Sequence, residues 1–342
     1  MKSFYLKNSS FIEVESPANK LDKYQVRIEM KNCGICGSDI HYYLHGENGG
    51  RKILEPLILG HEFSGQVIEL GSQVSKLKVG DRVIVNPALT CNECSYCKLN
   101  KNNLCENGSF FGSAAKLPHT QGAFREHIEI YQSQCHKIEQ NISFEEAAFA
   151  EPLAVSLHAT SLINNYKNKK IIVSGCGPIG LLILKILIQL TELENIFIID
   201  VNDNVLKAAK NIGIINSINI ITNNDFLKDH SNFFDIAFEA SGNTNSINNI
   251  INILSKSGQV IQVGNMPGGL IGIEYSKIML KELNFIGSYR FTTEFNEAVK
   301  SINKKIFDFS DMLTHKFNLK NCEEAMKVAA NKDLSIKVQV FT

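Results

Sequence analysis

From residue 170 to residue 263 strand-like and helix-like segments alternate, and a glycine-rich turn sits at the first strand-to-helix junction. Residues 170–174 read as a strand, and residues 178–190 as a helix with a proline at an early helical position. Residues 195–199, 234–238 and 259–263 read as further strands, and residues 205–212 and 243–254 as helices. Such alternation implies a parallel sheet with crossover helices. Between the first strand and helix, Gly175-Cys176-Gly177-Pro178-Ile179-Gly180 fits G-x-G-x-x-G. In that context the glycines let the backbone approach a pyrophosphate, and the helix N-terminus favours its negative charge. Gly175, Gly177, Pro178, Ile179 and Gly180 are therefore candidate cofactor contacts. Asp200 closes the next predicted strand, where a carboxylate accepts hydrogen bonds from the adenosine ribose and repels a 2′-phosphate. NAD is the expected dinucleotide. NADP stays open: Val205 offers no charge for a 2′-phosphate, and Lys207 nearby is a candidate cation.

The rest of the chain has another texture. Residues 1–146 hold short apolar segments such as 66–70 and 82–85, broken by Gly, Pro and Asn, which reads as a β-rich unit. Ser143 with Glu146 three residues later looks like a capping box opening a helix through His158. The whole, 342 residues, exceeds the ~250–300 at which a single core stops growing. We expect a β-rich domain at 1–146 and a doubly wound α/β domain at 147–288. The tail at 289–342, too small to stand alone, is expected to return to the first domain. With 35 basic and 35 acidic side chains, nothing calls for nucleic acid as partner. No apolar run reaches the ~18–20 residues of a membrane span, and the opening MKSFYLKNSS lacks a signal-peptide pattern, so the cytoplasm is expected.

Of nine cysteines, Cys91, Cys94, Cys97 and Cys105 follow C-x2-C-x2-C-x7-C. Four thiolates on one short loop suit a closed, structural zinc site; an iron–sulfur cluster or chance clustering are the competing readings. Cys33, Cys135, Cys176 and Cys322 read as small buried residues. A second constellation is dispersed: Cys36, His61 with Glu62, and Glu151. One thiolate, one imidazole and one or two carboxylates leave a zinc coordination position open, as catalysis requires. Singly, His61 reads equally as a satisfied buried histidine and Glu151 as a first-turn carboxylate on a helix dipole.

The stretch Gly60-His61-Glu62-Phe63-Ser64-Gly65 through Gly71 resembles the GHE-x2-G-x5-G motif of zinc-containing medium-chain alcohol dehydrogenases. CGICGSDIHYY, VGDRV, the cysteine cluster, FAEPLAVSLHA and GCGPIG carry the resemblance along essentially the whole chain. It is strongest to the polyol and sugar-acid branch; residues 110–124 and 287–299 look less like ordinary sorbitol dehydrogenases. The resemblance implies a GroES-like β-rich catalytic domain joined to a Rossmann domain, with one catalytic and one structural zinc and a homodimer or homotetramer. It implies that Cys36 and His61 bind the catalytic zinc, with Glu62 or Glu151 as the direct third ligand. It implies that Ser38 takes the alcohol proton and His41 delivers it to solvent. Arg290 falls where polyol dehydrogenases place a pocket arginine, and a guanidinium suits a carboxylate. Tyr42 and Phe111 are further substrate candidates, followed by His119 and Arg125. The expected partner is a small sugar acid or polyol. A non-enzymatic binding protein on the same fold is the rival of another class. A zinc-free quinone reductase is disfavoured, since such relatives lack both metal sites.

Overall fold

The strand Gln25–Gly34 organises the N-terminal half of the chain, and its alternation puts Val26, Ile28 and Met30 on one face, all fully buried. Along one side it pairs antiparallel with Glu62–Leu70. Along the other it pairs with His127–Tyr131 and, at its last three residues, with Lys337–Phe341 near the C-terminus. Arg82–Val85, Cys135–Lys137 and Leu313–Asn318 complete a seven-stranded sheet. The computed structural model describes all 342 residues, Met1–Thr342. Residues 1–154 and 291–342 form one unit around that sheet, and residues 155–290 form the other.

In the second unit six parallel strands lie in the order Asn216–Asn219, Ile196–Asp200, Ile171–Ser174, Phe234–Glu239, Leu254–Gln262, Asn284–Gly287. The strand order reverses between Ile171–Ser174 and Phe234–Glu239, which opens a crevice at their carboxyl ends. Every residue of Ile171–Ser174 is buried, the expected state of a central parallel strand covered on both faces. None of the helices is long and apolar enough to cross a membrane.

Three details depart from expectation. The capping box at Ser143 forms, with Ser143 Oγ accepting from Glu146 N–H at 3.1 Å, but it caps only the turn Phe144–Ala147. A new helix, Ala150–Ser161, follows. Pro152 explains the break: it has no N–H to bond the carbonyl of Ala148, yet it is tolerated in the first turn of a new helix. The units also divide at 154/155 rather than 146/147. Phe149 stacks on Phe309 at 4.6 Å, which keeps the start of that helix with the first unit. Finally, the edge strands Asn216–Asn219 and Asn284–Gly287 and the helix Tyr275–Leu280 lie outside the predicted elements. Both strands lack the apolar burial from which periodicity is read.

Candidate active site

Cys36 is the N-cap of the helix Gly37–His45, just past the end of strand Gln25–Gly34. Its N–H donates to Asp39 Oδ2 at 2.9 Å, while Asp39 Oδ1 accepts from Gly60 N–H at 3.2 Å. The fully buried Asp39 thereby ties the cysteine to the segment that carries His61 and Glu62. Cys36, His61 and Glu62 each place a ligand atom within 4.8 Å of the others. His61 Nδ1 is buried without a hydrogen-bond partner, 3.7 Å from Asp39 Oδ1. Glu62 forms an ion pair with Lys337, which also donates to Ile35 O at 3.0 Å. Gly34 sits opposite Glu62 in the sheet, and a Cβ there would collide with Glu62 Oε2, so the absence of a side chain makes room for the carboxylate.

Burial, and then the neighbouring Glu62, push the Cys36 thiol up to about 12. Burial raises the Glu151 carboxyl to about 8, with Glu62 and Cys36 adding to the effect and His61 opposing it. Burial also works against the Lys337 charge, but Glu62 and Cys36 outweigh it and hold its pKa above the ordinary lysine value. Cys36, His61 and Glu62 thus bring together a thiol, an imidazole whose Nδ1 has no hydrogen-bond partner and a carboxylate, a donor set of the kind that binds a divalent metal ion. Zinc fits it: ligand bonds of about 2.0–2.3 Å set neighbouring donor atoms roughly 3.3–3.8 Å apart, within the span of the group here. Glu151 is buried and couples electrostatically to all three, but is not one of the three whose ligand atoms gather. Ser38 hydrogen-bonds the Cys36 sulfur, and His41 lies one turn further along the same helix. Burial, with His45 and Lys332, lowers the His41 pKa below its ordinary value.

The four remaining clustered cysteines also gather, their sulfurs all within 4.8 Å. Cys91 Sγ lies 3.4 Å from Cys105 Sγ and 4.0 Å from Cys97 Sγ. A zinc tetrathiolate with bonds of about 2.3 Å has sulfurs roughly 3.8 Å apart, so the loop is already shaped for the ion. The backbone N–H groups of Glu93 and Cys94 lower the Cys91 thiol to about 6, which favours the thiolate a metal needs.

In the second unit, Gly175 takes φ +99° with its Cα against Ser241; a Cβ would meet Ser241 N at 2.6 Å. A Cβ on Gly180 would collide with Gly175 O, so strand and helix can close together only on glycine. Gly177 is the N-cap of the helix Pro178–Leu187, with open space where a Cβ would lie and Pro178 in the first turn, followed by Ile179. This is a cradle that a pyrophosphate could fill. Asp200 Oδ2 accepts from Cys176 N–H at 2.7 Å, and Oδ1 from the N–H groups of Val201 at 2.7 Å and Asn202 at 3.0 Å. Its carboxylate is thus fixed against the glycine loop with acceptor capacity to spare. Val205 is buried, its carbonyl accepting from Cys176 Sγ in the glycine loop.

The substrate candidates are dispersed. Tyr42 is 3 % exposed and its hydroxyl accepts from Ala114 N–H at 3.1 Å, which commits it to shaping the loop. Phe111 stands edge-on to Phe63 at 5.8 Å and lines a cavity of about 120 Å³ with Gln25, Thr120 and Glu129. His119 is a staple: Nε2 accepts from Leu54 N–H at 3.0 Å and Nδ1 faces Lys116 O at 2.8 Å. Arg125 keeps a buried Nε without a hydrogen-bond partner. Arg290 adopts φ +54° with its guanidinium 4.9 Å from the centre of the Tyr289 ring. Sequence reasoning missed Lys337, Asp39 and Glu239. Glu239 is fully buried and accepts from the N–H groups of Ser241 and Gly242 and from Gln262 Nε2, fixing the turn that abuts Gly175. Of the three, Asp39 alone had a local signal, three residues after the helix N-cap.

Residues 22–140 match the family model described as alcohol dehydrogenase GroES-like domain, and residues 178–304 match the one described as zinc-binding dehydrogenase. The chain is 35 % identical to an L-idonate 5-dehydrogenase (NAD(P)(+)) of Escherichia coli, over 92 % of this chain and 90 % of that protein. It is 30 % identical to a sorbitol dehydrogenase of Bacillus subtilis, over 100 % of this chain and 97 % of the relative. A crystal structure of L-idonate 5-dehydrogenase from Escherichia coli superposes with a TM-score of 0.88 at 31 % identity, covering 100 % of this chain and 98 % of that one.

Proposed function

Since this chain belongs to the zinc-dependent alcohol dehydrogenase family, in its polyol and sugar-acid branch, and is an oxidoreductase acting on CH–OH groups, we propose that it oxidises L-idonate at C5 to 5-keto-D-gluconate, reversibly, with NAD. The observation that carries the reaction class is the gathering of Cys36, His61 and Glu62, with His61 Nδ1 buried and unpartnered. Similarity to the L-idonate enzyme over nine-tenths of the chain supports the substrate. Zinc held by Cys36, His61 and either Glu62 or Glu151 supplies Lewis acidity toward a hydroxyl oxygen, and a nicotinamide dinucleotide in the Gly175–Gly180 cradle supplies the hydride acceptor.

The chain's own groups do the rest. The family resemblance gives Ser38, which hydrogen-bonds the Cys36 sulfur, the role of taking the alcohol proton, and His41 on the same helix that of delivering it to solvent. A depressed pKa keeps the His41 imidazole neutral and ready to accept. Asp200, pinned by three backbone N–H groups, meets the adenosine ribose and disfavours a 2′-phosphate. Arg290 grips the carboxylate of a sugar acid. An uncharged polyol is the second reading, favoured by the full-length match to a sorbitol dehydrogenase.

Steady-state kinetics with NAD and NADP across L-idonate, D-gluconate, sorbitol and xylitol decides between them. The highest kcat/KM is expected for L-idonate with NAD. Arg290→Ala is expected to raise KM for L-idonate roughly ten- to a hundredfold and to leave the KM for xylitol within about twofold, since a charge-assisted pair contributes ~1.5–3 kcal/mol. Equal effects on the two substrates would retire the carboxylate grip, and a preference for sorbitol or xylitol would favour the second reading.

A further inference from the structure

The helix Gly37–His45 carries a feature that neither metal site uses. His41 and His45 stand four residues apart, one above the other on one face, the half-buried His41 and the exposed His45. Their ring centroids are 5.8 Å apart with the planes tilted by 50°. An imidazole nitrogen lies about 1.1 Å from its ring centre and binds zinc at about 2.0–2.1 Å, so two rings on one ion have centroids about 5.2 Å apart at a tetrahedral angle and about 4.5 Å apart at a right angle. The observed spacing is about 0.6 Å wider than the tetrahedral value, a gap that rotation of the exposed His45 side chain closes. His45 lies in the last turn of the helix, which Gly46 ends in a left-handed conformation, its N–H bonding Tyr42 O at 3.0 Å. Carbonyl dipoles at a helix C-terminus favour a cation there. Lys332 is close enough to lower the His41 pKa and works in the opposite direction.

We propose that His41 and His45 form a two-imidazole chelate for a transition-metal cation such as Zn2+, Ni2+ or Cu2+, separate from the catalytic and structural zinc sites. Two neutral donors bind such ions, whereas Mg2+ and Ca2+ require oxygen ligands. An ion held there occupies the ring nitrogen of His41 and stops it from turning, so metal in excess of the two resident ions slows turnover. The second half of the proposal rests on the proton-delivery role given to His41 above; the chelate itself does not.

The test separates the two. The zinc-loaded full chain is titrated with Ni2+ by isothermal calorimetry at pH 7.5 in a non-chelating buffer, and kcat is measured with and without the same Ni2+. One additional ion per chain is expected. His45→Ala should weaken its binding by about tenfold or more, since even an outer-shell partner of a metal ligand is worth that much. Lys332→Ala should tighten it. The ratio of kcat without Ni2+ to kcat with it should fall to near one in His45→Ala. An additional ion that binds wild type and His45→Ala equally, or no additional ion at all, overturns the site. Binding that is lost in His45→Ala while wild-type turnover never responds to Ni2+ leaves the chelate standing and overturns the delivery role of His41.

Discussion

Glu62 and Lys337 show how much a single residue's meaning depends on its partner. They are 1 % and 2 % exposed and face each other across the end of the central strand, over Gly34. Removing one member of a buried ion pair costs about 3–5 kcal/mol, because the other charge is left without compensation. A zinc ion beside Cys36 and His61 can replace that compensation for Glu62. Lys337→Met should therefore cost the chelator-treated protein about 3 kcal/mol and the zinc-loaded protein clearly less. Because the chain has no tryptophan, urea unfolding is best followed by circular dichroism. Equal losses with and without zinc would show that Glu62 does not share the ion. Cys36, His61 and Glu62 are recognisable as a set from their motifs, whereas Lys337 is one lysine among many in the sequence. Only strand pairing between Gln25–Gly34 and Lys337–Phe341 brings it to the site.

Elements were legible where their apolar pattern is dense. The strand Arg82–Val85 and the helix from Pro178 can be read from the sequence, although that helix ends at Leu187 and not at residue 190. The polar edge strand Asn216–Asn219 cannot, because its burial comes from a neighbouring strand and not from its own side chains. Docking of the helix Glu294–Asn303 is likewise a tertiary fact: Phe295 meets the His136 ring at 5.2 Å. Burial lowers the His136 pKa below the ordinary histidine value. The folded state then binds fewer protons than the unfolded chain, so this contribution is complete above about pH 6.5 and is lost as pH falls through the folded-state pKa. Wild type should lose stability relative to His136→Phe between pH 7 and pH 5. Parallel stability curves for the two proteins would mean that His136 is not held neutral by this contact.

At the scale of the whole molecule, the two units have separate cores and only the first holds metal-ligand clusters. The tetrathiolate loop consists of short turns, with Cys97 its one buried sulfur residue, so the ion supplies cohesion that apolar burial does not. Stripping this zinc, or substituting Cys97→Ser, should lower the melting temperature of one calorimetric transition and leave a second unmoved. A single transition that shifts as a whole would show that the units unfold together.

The sequence by itself determined the chemistry of the ligands and the alternation of the parallel sheet, because both are written in residue type at short range. Cys91 to Cys105 lie on one loop, and G-x-G-x-x-G with Asp200 lies on consecutive elements. Tertiary structure decided which charges share a space: Glu62 with Lys337, Asp39 between Cys36 and Gly60, and Glu239 behind the turn at Ser241. Those pairings depend on strand register and on where glycine leaves room, and neither is encoded in the spacing of the residues along the chain.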